Sequence, residues 1–173
     1  MESVLSSAIQ HTQEAEISYC KYLSPNDTKS TKAHQSGYLI GKSAWQMFLD
    51  KEPRRGENIK VDIIIRWQDD FETTSVFTYY GSAKDEFRIT AFGRKFPFRE
   101  EDNVGDLFVL CKTGKNYYNA YILSRDEDIE GFFESVNIST TDTNKIIRKD
   151  FNLSVDDLIM QCFLKYLKSL NVL

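Results

Sequence analysis

Five segments rich in β-branched and aromatic residues follow one another in the middle of the chain, each bounded by turn-forming residues. They are Ile59 to Trp67, Ser75 to Tyr80, Phe87 to Phe92, Leu107 to Lys112 and Tyr117 to Leu123. Segments of this kind suit a pleated, half-buried surface. The last two are separated only by Thr113-Gly114-Lys115-Asn116, a hairpin signal. Short strands separated by turns predict a barrel or a sandwich. The 173 residues suffice for one ordinary core, and no Gly/Ser or Pro tract divides them, so residues 1–173 read as a single domain.

Helices are expected at both ends of this β region. Residues 3–22 have helical character, with Leu5, Ile9 and Thr12 on one face, Tyr19 and Leu23 continuing it, and no breaker before Pro25. Tyr38-Leu39-Ile40 is a short apolar segment, Ala44 to Leu49 suggests a helical turn or two, and Glu52 to Glu57 reads as a turn. Ser124 can cap a short helix whose first acids, Asp126, Glu127 and Asp128, suit the positive end of the helix dipole, with Ile129, Phe132 and Phe133 facing inward. Ser154-Val155-Asp156-Asp157 precedes a stripe of Leu158, Ile159, Cys162, Phe163, Tyr166, Leu167 and Leu170, predicted to be core. The expected class is mainly β, α+β.

Several kinds of chemistry find little support. Cys20, Cys111 and Cys162 are odd in number and widely spaced, which fits reduced core residues better than a disulfide framework or a zinc site. The two histidines, His11 and His34, have no second ligand at metal spacing. Glycine-rich phosphate loops are absent. The acid-x-Lys spacing used by metal-dependent nucleases occurs only at Asp27-Thr28-Lys29, in a polar stretch and not in a strand. Asp69-Asp70 and Glu100-Glu101-Asp102 sit beside turns, where solvated acids are ordinary. The expectation is therefore no catalytic residue, no metal and no cofactor. With no membrane-length apolar run and no signal-like start, a cytoplasmic, intracellular setting is expected.

Charge points elsewhere. The net charge of −4 divides into −3 over residues 1–20, +4 over 21–99 and −5 over 100–173, so an anion-binding face must come from the middle. Two polar segments lie there. Ser24 to Gly37 offers Lys29 and Lys32 for phosphates, with Asn26, His34 and Gln35 suited to major-groove base edges. Tyr80 to Arg99 interleaves Lys84, Arg88, Arg94, Lys95 and Arg99 with Asp85, Glu86 and aromatic residues. Arginine there can grip guanine through two bonds, and Glu86 or Asp85 can accept from cytosine N4. An alternating strand with a solvated polar face fits the same pattern equally well.

The ordered matches from Tyr22 to Thr28, His34 to Tyr38, Tyr79-Tyr80, Glu86 to Arg94, Glu101 to Leu107 and Asp126 to Glu130 resemble the N-terminal effector domain of EcoRII-type restriction endonucleases. The similarity touches most of the chain from about residue 19 onward. It implies a seven- to eight-stranded DNA-binding pseudobarrel with flanking helices, like the B-type domains of plant transcription factors, whose two arms enclose DNA. It also implies monomeric recognition of duplex 5′-CC(A/T)GG, with an effector copy of the site stimulating a separate C-terminal nuclease domain, the only part that would need Mg²⁺. His34 and Tyr38 match first-arm positions, and Lys84, Glu86, Arg88 and Arg94 match second-arm positions. The stretch from Tyr80 to Glu86 is shorter than the family pattern, and Phe87 replaces an expected lysine, so fewer phosphates should be met. The combined expectation is base reading by His34, Gln35, Tyr38, Lys84, Asp85, Glu86 and Arg88, and phosphate binding by Lys29, Lys32, Arg94, Lys95 and Arg99. Two other readings remain: a metal-dependent nuclease in its own right, and a protein-interaction module using exposed strand edges.

Overall fold

Alternation along each strand assigns one row of side chains to the interior, and in this computed structural model those rows meet inside a curled sheet. The structure describes residues 3–29 and 37–149, with Ile159 and Phe163 beyond them. The strands are β1 (Ile17–Tyr22), β2 (Tyr38–Ile40), β3 (Asn58–Trp67), β4 (Phe71–Tyr80), β5 (Phe87–Thr90), β6 (Leu107–Gly114), β7 (Tyr117–Leu123) and β8 (Lys145–Arg148). They form one sheet in the order β2-β5-β4-β3-β7-β6-β1-β8. Every pairing is antiparallel except that of β3 with β7.

Curling follows from the core. In a flat sheet β2 and β1 would lie roughly 30 Å apart, at about 4.8 Å per strand. Yet Tyr38 of β2 and Tyr19 of β1 belong to one apolar cluster with Ile63, Phe77, Ile89, Phe108 and Tyr118. The interior is dominated by aromatic rings: Tyr38 packs at 5.0 Å from Phe108 and 4.9 Å from Phe92, and Trp67 at 4.5 Å from Phe96. Such edge-on and tilted contacts add to what burial alone contributes. A second cluster lies on the outer face of β1, β6 and β7, where α1 (Val4–Glu14) and α2 (Asp126–Ser135) cover Cys20, Val109, Cys111 and Leu123. Burial pushes the thiols up, Cys111 to about 11 and Cys20 to about 12, so both are inert core residues.

The curl closes through side chains where a backbone ladder is missing. Among the described residues no strand pairs with Leu39 beyond β2, and its N–H and C=O would otherwise be costly to bury. Asp27 Oδ1 accepts from Leu39 N at 2.7 Å, and Lys21 Nζ donates to the Leu39 carbonyl at 2.8 Å. One step along, Gly41 N donates to Tyr19 Oη at 2.9 Å, and Tyr19 Oη donates to Asn144 Oδ1 at 2.6 Å. Side chains of β1 and of the segment just after it thus take the place of an adjoining strand. A Cβ at Gly41 would come within 2.8 Å of the Asn144 Cβ, so the seam also needs a residue without a side chain there.

The sequence misread several elements. The opening helix ends at Glu14, and Ile17–Tyr22, expected as its continuation, is β1. Segment Ile-Ser-Tyr-Cys-Lys-Tyr has β propensity that a long helical stripe obscured, and it is decided by pairing with both β6 and β8. β8 itself went unseen, being only four residues long. Ser124 does not cap α2: its hydroxyl donates to Asp106 Oδ2 at 2.8 Å, and the N-cap position is Arg125. The expected turn over Ala44 to Leu49 is a 3-10 helix at Lys42–Met47. In the stripe predicted after Ser154, Ile159 and Phe163 are helical but 61% and 55% exposed, which corrects the reading of these two as core; the rest of that stripe, Cys162 included, lies outside the described residues. No helix among the described residues is long and apolar enough to cross a membrane.

Candidate nucleic-acid interface

Strand register sets out the floor of the site. Leu39, Arg88, Thr78 and Lys60 stand directly opposite one another across β2, β5, β4 and β3, and residues so paired share a face. Their strand neighbours Tyr38, Ile40, Phe87, Ile89, Phe77 and Tyr79 fill the core, so this row projects from the other face. Two polar loops reach opposite ends of β5, one through its partner β2 and one directly. The first returns at Gly37, which is so close to Ile89 that a Cβ there would stand 2.1 Å from its carbonyl oxygen. The second enters β5 at Phe87. Arg88 therefore lies between the two arms.

The first arm is pinned at both ends by one carboxylate. Asp27 is fully buried. Its Oδ2 accepts from Lys21 Nζ at 2.6 Å, from Ser24 N at 2.8 Å and from Ser24 Oγ at 2.6 Å, while Oδ1 takes the Leu39 amide. Lys21 is 5% exposed, and burial pushes its ammonium below the usual lysine range against the opposing effect of Asp27. The arm's base also leans on a neighbouring segment: Lys29 N donates to Arg99 O at 2.7 Å and Arg99 Nε to Asp27 O at 3.2 Å. The Lys29 to Glu100 ion pair is more than half exposed at both ends, so it adds little stability and leaves lysine accessible. Between β5 and Arg99, buried Phe92 and Phe96 hold a turn whose exposed tip is Gly93-Arg94-Lys95. Gly93 has φ +92°, a conformation other residues adopt at a cost.

The second arm, Gly81 to Asp85, folds back on Tyr80, whose carbonyl accepts from Lys84 N at 3.1 Å and Asp85 N at 2.9 Å. Asp85 has φ +51° and braces the loop, accepting from Tyr79 Oη at 2.8 Å and pairing with Lys42. Those two bonds hold its carboxyl below the usual range. Glu86 gathers two cations: Arg88 Nε donates to its Oε1 at 2.9 Å, and Lys84 Nζ lies 3.8 Å away. The Arg88 side chain is 7% exposed, so its guanidinium is fixed before any ligand arrives.

Of the residues expected to read bases, Lys84, Glu86 and Arg88 come together in one constellation. Tyr38 does not join them. It is fully buried in the aromatic core, its hydroxyl donating to the Phe98 carbonyl, and is corrected to a structural residue. Asp85, both oxygens engaged, is the brace of its arm. Of the residues expected to bind phosphates, Arg94 and Lys95 are exposed, while Lys29 and Arg99 sit at the first arm's base. His34, Gln35 and Lys32 lie outside the described residues. Asp27 and Lys21 carried no legible signal: the acid looked like part of a polar loop, and only its buried position reveals it as the pin.

The acids weighed for catalysis stay apart. Asp69 and Asp70 form the β3–β4 turn with φ of 65° and 57°, and the Glu100 and Asn103 side chains close a capping box over Glu101–Asn103. Among the described residues no three His, Cys, Asp or Glu side chains come together to hold a metal ion.

A curled, mainly β sheet flanked by helices, with two polar arms on either side of β5, defines a domain of the pseudobarrel class. The chain belongs to the family of EcoRII restriction endonuclease N-terminal domains, whose model matches residues 12–156. The crystal structure of the UbaLAI restriction endonuclease B3 domain with cognate DNA is similar at 16% identity, over 82% of this chain and 92% of that one, with a TM-score of 0.49. No curated protein sequence matches the chain.

Proposed function

We propose that this domain binds a specific short duplex DNA site in the major groove, as the effector or recognition domain of a type II restriction endonuclease, and that it is itself non-catalytic. The observation that carries this reading is the Lys84, Glu86 and Arg88 constellation between two arms, in a chain of the EcoRII N-terminal family. An acid at the centre of a basic site adds nothing to phosphate binding, but it can both orient an arginine for guanine and accept from cytosine N4. Arg88, Glu86, Lys84, His34 and Gln35 read bases; Lys29, Lys32, Arg94, Lys95 and Arg99 hold phosphates. The proposed target is 5′-CC(A/T)GG, bound by a monomer, with cleavage left to a C-terminal nuclease domain of the parent protein in the cytoplasm.

A gel-shift titration tests this, using a short duplex containing CC(A/T)GG and a matched duplex with the site scrambled, at near-physiological salt without Mg²⁺. Preference for the first by roughly a thousandfold or more is expected for specific recognition; equal weak binding would refute this target. Incubation of the purified chain with Mg²⁺ and supercoiled plasmid should leave the plasmid intact, and nicking would restore the nuclease reading.

A further inference from the structure

The chain turns sharply at Arg54-Arg55-Gly56-Glu57 just before β3. Gly56 has φ +100°, and Glu57 N donates to Arg54 O at 3.1 Å, closing a tight turn whose third position needs glycine. Glu57 folds back to accept from Arg54 N at 2.7 Å. This turn is fastened to the second arm. Gly56 N donates to Gly81 O and Gly81 N to Glu57 O, both at 3.0 Å, and the Asn58 and Ser82 side chains bond at 2.7 Å. A Cβ at Gly81 would stand 2.4 Å from the Glu57 oxygen, so the close approach requires glycine at this point. The turn and the arm thus move as one body.

We infer that Arg54 and Arg55 form a third DNA-contacting element, a phosphate clamp on the outer side of the second arm. Both residues are exposed, and among the described residues neither guanidinium is held in a salt bridge. The acids beside them are spent: Glu57 on the Arg54 amide, and Asp85 on Tyr79 and Lys42. The Lys42 and Tyr79 bonds hold the Asp85 carboxyl down and Arg55 adds to their effect, in keeping with the backbone bonds that join its turn to the arm. Two exposed guanidinium groups outside any salt bridge among the described residues, on a turn tied to the arm, suit the backbone oxygens of a duplex that the arm engages.

This inference rests on the DNA-binding reading above, and the experiment separates the two. Binding of the CC(A/T)GG and scrambled duplexes is measured from 50 to 200 mM salt for the native chain and for Arg54→Ala, Arg55→Ala, Arg94→Ala and Lys115→Ala. Lys115 sits in the β6–β7 turn, where β6 meets β1 at Cys111 and Ser18, the end of β1 remote from the first arm; Asn116 O there accepts from Ile64 N, roughly 20 Å along β3 from Asn58, where the second arm is fastened. Each arginine variant should weaken both duplexes alike and lower the slope of log affinity against log salt by about 0.9, so that the loss across this salt range shrinks roughly threefold. Lys115→Ala should change neither. If Arg94→Ala lowers the slope while Arg54→Ala and Arg55→Ala do not, the clamp is wrong and the DNA reading stands. If the native chain shows no salt-dependent binding to either duplex, the DNA reading itself fails. Unchanged melting temperatures in all variants exclude misfolding as the cause.

Discussion

Asp27→Ala should lower the stability of the domain by about 3–5 kcal/mol, because it leaves the Lys21 ammonium buried without its counter-charge. The same change strips the acceptor from the Leu39 amide at the seam and from Ser24 at the start of the first arm. Urea denaturation followed by tryptophan fluorescence would read the loss, since Trp67 lies in the core. A shift corresponding to less than about 1 kcal/mol would show that the pair sits in a wetter setting than its 5% and 0% exposures describe. The double variant Lys21→Met with Asp27→Asn should recover only part of the stability. Removing both charges together avoids the unpaired one, and asparagine keeps a carbonyl oxygen for Leu39 N, but the Leu39 carbonyl loses its donor and Ser24 N loses its acceptor. The pair is costly to break without being a large net source of stability.

Arg88→Ala should cost about 1–3 kcal/mol on the specific duplex, a loss of roughly 5- to 150-fold, with a much smaller change on scrambled DNA. Preference for the site should collapse toward the nonspecific level. Equal losses on both duplexes would instead make Arg88 a phosphate contact. Glu86→Gln separates orientation from charge: it keeps an oxygen for the Arg88 Nε but removes the carboxylate that draws Lys84 to 3.8 Å.

Much of the arrangement was legible from residue order. The strand segments β3 to β7 appear in the sequence because β-branched and aromatic residues alternate between turn signals. The two arms were legible because long polar stretches interrupt that pattern, and an acid between basic residues marked Glu86 and Arg88. Where apolar spacing is ambiguous, the sequence failed. Ile17–Tyr22 joins a helical stripe in one dimension, and only the presence of β6 on one side and β8 on the other makes it a strand.

The seam belongs to the tertiary structure alone. Nothing local distinguishes Asp27 from any acid in a polar loop, nor Lys21 from a solvated lysine. They become a pair because curling brings β1 against the free edge of β2, where the unpaired Leu39 groups demand a donor and an acceptor. The same holds for Tyr38, whose side chain is committed to the core by strand parity: with Leu39 facing outward, its neighbour must face in. What sequence determined by itself was which segments could be strands and where charge of each sign was available. Which polar groups are buried, which are braced and which remain for a ligand was decided by the closure of the sheet, since burial is a property of all eight strands together.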